Sequence, residues 1–501
     1  MAKYKHTEAE NGQGIFLSIN LKEQLLPGTF EYMLNDLIGR KIDISSFDSN
    51  YNNDTTGAKA IPPRVLIKLI IYGYKNGMKS SREIDELGRN NITAKALAED
   101  MEPHWTTIAS FISKNNERFI EIFEKILTYC AELKLIGGET FAIDGCRLPS
   151  NASIELTGTA EDMGKRLKIY QRMAKKHIAK HKRQDEQGQT DDRTEKRYKE
   201  RQKAINRQIE KISDFINTME RKKGKRGQEI QSNVTDNESA MIHTSSGYIQ
   251  GYIGIAVCDK KEQVIVSAKA AGSANECEHF PQMLDDTIVN LKEAGIKQNK
   301  KMTILADKNF FCEENLRKCD ERGIEAIIPD SQYKKRLGRN GEIHYEADDF
   351  KYNKKYDYYL CPGGRRLTNK GAVVWGGKEG NNYQADVKDC RVCKHYSNCI
   401  RSKKKRSEIK RGRVLWITES NKPGNLCTKM RRKLNMEAYQ DRYSYRIGII
   451  EPVFANITNC KKLNRFSLRG AEKVNGQWQL YCITHNLGKC LEGYNKKRGY
   501  A

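Results

Sequence analysis

Two aspartates stand where an apolar run ends, a position from which a carboxylate can do chemistry. Asp144 follows the apolar residues of FAIDGCRLPSNAS (141–153), and Asp307 follows MTILA (302–306). A buried strand fixes the position of a side chain at its end, and such rigid mounts suit functional groups. If the two strands are neighbours in one sheet, the carboxylates converge, and a divalent cation such as Mg²⁺ or Mn²⁺ would offset their repulsion.

A third acid would complete a two-metal site for in-line displacement at a phosphodiester. Glu451 is a candidate, because it lies in the apolar, helix-compatible segment YSYRIGIIEPVFANI, five residues after Arg446. The alternative for each aspartate is that its side chain caps the following helix, a common role for Asp. Asp236, in SNVTDNESAM, is a competing carboxylate, although a cluster of Asn, Thr and Asp is more typical of a turn.

Four of the 14 cysteines are arranged as in a metal site. Cys390 and Cys393 have the C-x-x-C spacing by which two thiolates bind one zinc ion, and Cys361 and Cys399 could complete a tetrahedral set. The sequence therefore predicts a structural zinc knuckle, with four free thiols as the alternative. Most of the other cysteines lie in apolar stretches, as expected for small buried residues of a protein from a reducing cytoplasm.

The charge of the chain points to a polyanionic partner. Its 501 residues carry a formal net charge of +25, so nucleic acid and anionic membrane surfaces are the first partners to consider. The most apolar segment, VLIKLIIYGY (65–74), is too short to span a bilayer and contains a lysine, and the N-terminus is too polar for a signal peptide. We therefore expect a cytoplasmic protein that binds nucleic acid and no membrane.

Composition and periodicity along the chain predict an α/β protein. Strand, strand pair, helix, strand, helix and strand patterns alternate over residues 139–148 and 248–329, which predicts a mixed sheet covered by helices. The predicted parts are a helical N-terminal domain (1–135), the sheet-bearing core (136–159 and 228–335), an inserted helical hairpin (160–227), a Cys-rich insertion (336–425) and a C-terminal helical part with the third acid (426–501).

Three of these parts suggest contact with DNA. The N-terminal helices have the spacing of a helix-turn-helix unit whose reading helix would begin near Thr106, although an ordinary helical bundle fits equally well. The basic runs RKKGKRG (221–227) and RSKKKRSEIKRGR (401–413) could touch phosphates or simply be solvated. The inserted hairpin is predicted from two apolar stripes at helical spacing, Met163, Leu167, Tyr170, Ala174 and Ile178, and Ile205, Ile209, Ile212, Ile216 and Met219.

Several motifs together resemble one known family. They are IPPRVLIKLIIYGYKNGMKSSREI, FAIDGCRLPSNAS, SNVTDNESAMI, ILADKNFF and IEPVFANI, and they cover nearly the whole chain. The chain resembles the DDE transposases of bacterial insertion sequences, in the branch with a helical N-terminal domain, a split ribonuclease-H-like core and a Cys-containing insertion. The resemblance implies a ribonuclease-H-like mixed sheet with helices on both faces.

The resemblance also implies roles for individual residues. Asp144, Asp307 and Glu451 would be the catalytic acids that bind two Mg²⁺ or Mn²⁺ ions, and Tyr443 and Arg446 match the Tyr and Arg of the family signature, whose arginine is expected to contact a phosphate.

The chain departs from the family pattern at three places. Four residues separate Arg446 from Glu451, one more than in the broad signature of the superfamily. The signature's lysine is replaced by Thr458, so Lys461 and Lys462, slightly farther on, are the DNA-contacting candidates. Asn309 and Phe310 stand where many relatives have glycine and tyrosine.

The function implied by the resemblance is DNA transposition. The protein would bind terminal inverted repeats, cleave DNA and join it to target DNA, as a homodimer on paired ends associated with the nucleoid. Two alternatives remain. One is a nuclease with the same core that performs no strand transfer, and the other is a non-catalytic repressor derived from a transposase, against which the intact set of acids argues.

Overall fold

The computed structural model describes most of the chain, namely residues 20–51, 59–187, 191–218, 221–224, 227–296, 301–336, 345–375, 378–400, 405–418 and 425–500. Predictions that concern other residues lie outside this described part, and they include residues 1–19, Met219, 225–226 of the first basic run and 401–404 of the second. Among the helices of the described part, none is both long enough and apolar enough to cross a bilayer.

The described residues form a mixed α/β structure, which confirms the predicted class. The helices are α1 (Phe30–Asp36), α2 (Pro63–Lys75), α3 (Ser81–Asn90), α4 (Ile92–Leu97), α5 (Trp105–Lys114), α6 (Asn116–Glu132), α7 (Ala160–Glu186), α8 (Asp192–Thr218), α9 (Phe280–Glu293), α10 (Glu313–Glu321), α11 (Tyr333–Arg336), α12 (Val387–Arg391), α13 (Tyr396–Cys399), α14 (Leu426–Leu434), α15 (Glu437–Ala455) and α16 (Ala471–Arg498). The strands are β1 (Thr140–Pro149), β2 (Thr157–Gly158), β3 (Ser232–Asn233), β4 (Ala240–Thr244), β5 (Gly247–Asp259), β6 (Ile265–Ala271), β7 (Thr303–Ala306), β8 (Glu325–Ile327), β9 (Lys351–Asn353), β10 (Tyr358–Leu360), β11 (Arg366–Trp375), β12 (Lys378–Ala385) and β13 (Val414–Ile417).

Local sequence signals fix the starts of the N-terminal helices. Helix α2 has Pro63 in its first turn, where a missing N–H costs nothing, and its residues 65–74 are all buried. Ser80 and Glu83 form a capping box at the start of α3: the Ser80 side chain accepts the Glu83 N–H, and the Glu83 carboxylate accepts the Ser80 N–H. These signals place an apolar helix at the centre of the N-terminal region.

The main sheet has the strand order β6-β5-β1-β7-β8, and β4 pairs with the first half of β5. Strand β1 runs antiparallel to β5 and parallel to β7, and β7 runs parallel to β8. Consecutive residues 141–143 of β1 are all fully buried, and because they point to opposite faces, both faces of the sheet are covered there. The predicted mixed sheet is thus present.

The prediction that the first strand ends at Asp144 was wrong. Strand β1 continues to Pro149 because Gly145 and the residues after it pair with β5, Gly145 lying opposite Ile255. Asp307, in contrast, directly follows the last residue of β7, as expected.

Helix α16 joins the N-terminal helices to the edge of the main sheet. It packs against α6, α2 and α5 on one side and against β6 on the other. The Asn486 side chain accepts the N–H of Ile265 (2.9 Å) and donates to its carbonyl (2.8 Å), and Asn475 accepts the N–H of Ala270 (2.8 Å). Side chains of α16 therefore satisfy backbone groups that β6 leaves unpaired at the sheet edge.

The two insertions form separate small structures. Helices α7 and α8 make the predicted hairpin, with Leu156, Met163 and Ile212 in a small apolar core at its base. The predicted stripe does not stay buried along its length, because the side chain of Ile178 is 50% exposed. The second insertion is an antiparallel sheet, β13-β12-β11-β10-β9, which the sequence analysis did not identify.

Candidate active site

Strands β1 and β7 place the first two acids side by side. Ile143 lies opposite Ala306 in the parallel register, so the next residues, Asp144 and Asp307, are level with each other. Asp144 Oδ1 accepts the N–H of Gly145 (2.9 Å), and Asp307 Oδ1 accepts the N–H of Lys308 (2.6 Å). Asp307 therefore also caps the short 3-10 helix that follows it, the alternative role considered from the sequence.

Helix α15 carries both Arg446 and Glu451, and Arg446 connects Glu451 to Asp144. Arg446 Nη1 lies 2.7 Å from Asp144 Oδ2, and Arg446 Nη2 lies 3.6 Å from Glu451 Oε1. The Arg446 side chain is 11% exposed, whereas that of Glu451 is 56% exposed. One guanidinium group thus bridges acids that come from opposite ends of the chain, and Glu451 remains open to solvent.

The electrostatics of the site follow from burial and close charges. Burial raises the pKa of Asp144; Arg446 and the Gly145 N–H oppose this, and the charge of Asp307 adds to it. Burial also raises the pKa of Tyr443 to about 12, against the effect of Arg446. The Nε of Arg446 is buried and has no hydrogen-bond partner among the described residues. The site therefore holds more carboxylates than cations, and the Arg446 guanidinium among them retains one N–H without a partner among the described residues.

The three carboxylates suit hard divalent ions. Oxygen ligands of this kind are those that Mg²⁺ and Mn²⁺ prefer, and adjacent carboxylates gain from a cation between them. Arg446 supplies positive charge between Asp144 and Glu451, which is the place where the acids converge. The chemistry of the donor set therefore fits a divalent-metal site.

Lys461 and Lys462 contact a different region. Lys461 is 7% exposed, its amine contacts Asn456, and burial lowers its pKa to about 8. Lys462 has a φ of +58°, and its stem packs on Gly77, just after α2. Both lysines therefore lie where the end of α15 meets the N-terminal helices.

Two further acids differ in how visible they are from sequence. The N–H of Asp236 donates to Asn233 Oδ1 (2.9 Å), as in the predicted turn, while its carboxylate accepts hydrogen bonds from Tyr252 Oη (2.9 Å) and from the N–H of Gly470 (3.3 Å). Glu276 is 3% exposed and is bonded to Arg147, three residues after Asp144. Glu276 was not predicted from the sequence, because it stands in none of the quoted motifs and lies 129 positions from Arg147.

The four predicted zinc ligands line one cavity of about 20 Å³ in the second insertion. Cys361 follows β10, Cys390 lies in α12 and Cys399 in α13, while Cys393 approaches Cys361 across Gly363. The backbone N–H groups of Arg365 and Arg413 donate to the Sγ atoms of Cys361 (3.2 Å) and Cys390 (3.4 Å). The fold thus gathers thiols that the sequence separates.

Within the described residues, one group of His, Cys, Asp or Glu side chains has three ligand atoms mutually within 4.8 Å: His181, Asp185 and Glu195. His181 Nδ1 lies 2.9 Å from Asp185 Oδ2, and Nε2 lies 2.7 Å from Glu195 Oε2. The two carboxylates contact different nitrogens of the His181 ring. Because Asp185 is on α7 with His181 and Glu195 is on α8, the group connects the two helices. The three candidate acids and the four cysteines are more widely spaced.

Two family models match parts of the chain. A model described as a Transposase DDE domain matches residues 360–491, which include Glu451 and the four cysteines. A model described as a Transposase domain (DUF772) matches residues 19–114, which include α1 to α5. Asp144 and Asp307 lie between the two matched ranges. No curated protein and no solved structure matches the chain.

The matches and the geometry agree. The matched C-terminal range carries Arg446 and Glu451, and the fold brings this range to the strands that carry Asp144 and Asp307. Together with the second transposase domain matched at the N-terminal helices, these matches support a DDE transposase of an insertion sequence.

Proposed function

We propose that this protein is a DNA transposase that binds the terminal inverted repeats of its element, cleaves DNA and joins the freed end to target DNA. The observation that carries the proposal is the position of Arg446, which contacts Asp144 and lies within 3.6 Å of Glu451 while β7 holds Asp307 level with Asp144. Three acids from three distant segments at one place are what metal-dependent phosphoryl transfer requires.

The strand order supports a ribonuclease-H-like core. Strands β6, β5 and β1 are antiparallel neighbours, and β7 and β8 continue the sheet parallel to β1. We assign this sheet, with α9, α10, α15 and α16, to the catalytic core.

We assign Asp144, Asp307 and Glu451 as the residues that would hold two Mg²⁺ or Mn²⁺ ions. When bound, such ions supply positive charge for activating the attacking oxygen and for stabilising the leaving oxygen. The exposed carboxylate of Glu451 leaves room for DNA, and the two aspartates are held by a rigid sheet.

Arg446 has a second task in this proposal. Its buried Nε lacks a hydrogen-bond partner among the described residues, and a phosphate oxygen of the bound DNA would satisfy it. Water attacks the phosphodiester first and frees a 3′-hydroxyl, which then attacks target DNA in line. Arg446 thus orients Asp144 and the phosphate together, and the partly buried Tyr443 supports the guanidinium.

Double-stranded DNA is the proposed partner, in the form of terminal inverted repeats and target DNA. A net charge of +25 supports this assignment, and we place recognition of the repeats in the helical N-terminal region, with phosphate contacts from Lys462 and the exposed basic residues. Cleavage of both element ends would involve a homodimer on DNA, and the protein would reside with the nucleoid in the cytoplasm.

The test uses the full-length protein, Mg²⁺ and a duplex carrying an end of the element, with plasmid as target. We expect nicked and joined products from the wild type and neither from Asp307→Asn, since a metal ligand is lost. Asp320→Asn, which changes an exposed aspartate on α10, is the matched control and should retain activity.

The outcomes separate the alternatives. Nicking without joining would favour a nuclease, and binding of the repeats without cleavage at any Mg²⁺ or Mn²⁺ concentration would favour a repressor. Equal cleavage by Asp307→Asn and the wild type would remove Asp307 from the proposed site.

A structural Zn²⁺ ion in the Cys-rich insertion is a second part of the proposal. Four sulfurs around a small cavity, two of them accepting backbone N–H groups, have the donor chemistry of a closed zinc site. Because no three of the sulfurs lie mutually within 4.8 Å, the ion would draw them together and tighten α12 and α13 against β10.

Zinc content tests this part independently of activity. Protein produced with zinc should contain about one ion per chain, and the double variant Cys390→Ala, Cys393→Ala should contain none and unfold at a lower temperature. Cys460→Ala removes an exposed thiol and is the control. Zinc-free wild-type protein with four reactive thiols in this insertion would disprove the assignment.

A further inference from the structure

A fourth carboxylate lies beneath the proposed active site. Glu276 begins the short 3-10 helix Glu276–His279, and its side chain is 3% exposed. Its Oε1 accepts hydrogen bonds from Nε (3.1 Å) and Nη2 (3.0 Å) of Arg147. Arg147 is on β1, on the same strand as Asp144, so Glu276 is bonded to the segment that carries the first acid.

The same carboxylate lies near the segment that carries the second acid. The side chain of Asn309, two residues after Asp307, is close enough to the Glu276 carboxylate to lower its pKa, against the effect of burial. Gly145 permits this arrangement, because a Cβ there would lie 3.0 Å from the Glu276 carboxyl carbon and 2.7 Å from a methyl group of Ile253. Glu276 therefore spans the gap between β1 and the loop after β7.

Burying the charge of the Glu276 carboxylate adds little to the stability of the fold. A buried ion pair is roughly neutral in net stability, because the cost of desolvation offsets the attraction. Burial raises the pKa of Glu276, and the nearby charge of Asp144 adds to this, so an ionised Glu276 is held in an environment that disfavours it. The consequence of the arrangement is geometric, since it links the two acid-bearing segments.

We propose that Glu276 is a positioning residue, which sets the separation of Asp144 and Asp307 through Arg147 and Asn309 and thereby the affinity of the site for divalent ions. The inference rests on the proposed function. Glu276 would not itself bind the ions, because Arg147 occupies its Oε1 and its side chain is almost inaccessible.

The experiment measures Mn²⁺ binding by electron paramagnetic resonance, with no DNA present, on full-length protein. We expect Glu276→Gln to weaken Mn²⁺ binding about tenfold, the low end of what loss of an outer-shell partner costs, with an unfolding temperature close to that of the wild type. Asn309→Ala, which changes an exposed loop residue, should weaken binding in the same direction even if Glu276→Gln fails to fold.

Asp85→Asn is the matched control. Asp85 is also buried and paired with an arginine, Arg89 (2.6 Å), but it lies in the N-terminal helices, so Mn²⁺ binding should be unchanged. Wild-type affinity in folded Glu276→Gln or in Asn309→Ala would overturn the inference while leaving the proposed function intact. If Asp307→Asn also bound Mn²⁺ like the wild type, the proposed function would fail with it.

Discussion

Arg446 is the residue on which the electrostatics of the site depend. Its guanidinium pairs with both Asp144 and Glu451, and it opposes the rise in the Asp144 pKa that burial causes. Removing it would leave Asp144 buried beside Asp307 with no compensating charge. The ionised form of Asp144, which a divalent ion requires, would then be reached only at higher pH.

We therefore predict that Arg446→Gln shifts the acid limb of the cleavage profile. Activity is lost as pH falls through the pKa of Asp144, and since the variant raises this pKa, the loss should begin at a higher pH than in the wild type. Initial nicking rates between about pH 4 and about pH 8.5 would measure the shift, because this range runs upward from the ordinary carboxyl pKa and includes a raised one.

Arg442→Gln is the control for this prediction. Arg442 lies one turn earlier on α15 but pairs with Glu325 (2.6 Å), away from the acids. An unchanged acid limb in Arg446→Gln, or an equal shift in Arg442→Gln, would contradict the explanation.

The sequence alone was enough to predict the three acids but not the residues that surround them. Asp144, Asp307 and Glu451 stand in recognisable apolar contexts, so their types and positions could be predicted. Glu276 could not, because its importance depends on burial and on partners that only folding brings near. The structure gives the departure at Asn309 a physical meaning, since its side chain lies close enough to Glu276 to lower the pKa of that carboxylate, which a glycine could not do.

At the scale of elements, α16 and β6 form the least predictable contact. Most helices and strands of the main sheet follow from periodicity, and the capping box of α3 was visible in the sequence. Helix α16 is buried on nearly all sides, so it has no apolar stripe that would indicate its partner. Its role in covering a sheet edge depends on contacts between residues more than 200 positions apart.

We predict that Asn486→Ala lowers the free energy of unfolding by about 2 kcal/mol, because it leaves the buried N–H and carbonyl of Ile265 without partners. Asn475→Ala removes one bond, to Ala270, and should cost about half as much. Urea denaturation would measure both, and amide exchange at Ile265 should quicken in the first variant only. Equal stability of Asn486→Ala and the wild type would show that the edge is covered in another way.

At the scale of the whole molecule, charge dominates the expected behaviour. The two helices of the inserted hairpin present many exposed lysines and arginines, and the net charge of the chain is +25. Proteins that neutralise several phosphates release counterions, so their affinity for DNA falls steeply with salt.

We predict that affinity for a duplex of any sequence falls by about a thousandfold or more between about 50 mM and about 200 mM NaCl, with a steep linear dependence on the logarithm of salt concentration. Fluorescence anisotropy with a random duplex and an end-bearing duplex would measure both slopes. If base contacts distinguish the repeats, the two duplexes should show similar slopes, with the end-bearing duplex bound more tightly by a constant factor. An affinity that does not change with salt would exclude phosphate contacts as its main source.

The position of α16 also bears on how the protein is made. This helix is synthesised after every element it joins, yet it lies between the first helices of the chain and the edge of the central sheet. While the ribosome is still adding these residues, the nascent chain exposes both an apolar groove on the early helices and an open strand. Docking of α16 is thus a late event in folding, and until it occurs both surfaces are exposed to aggregation.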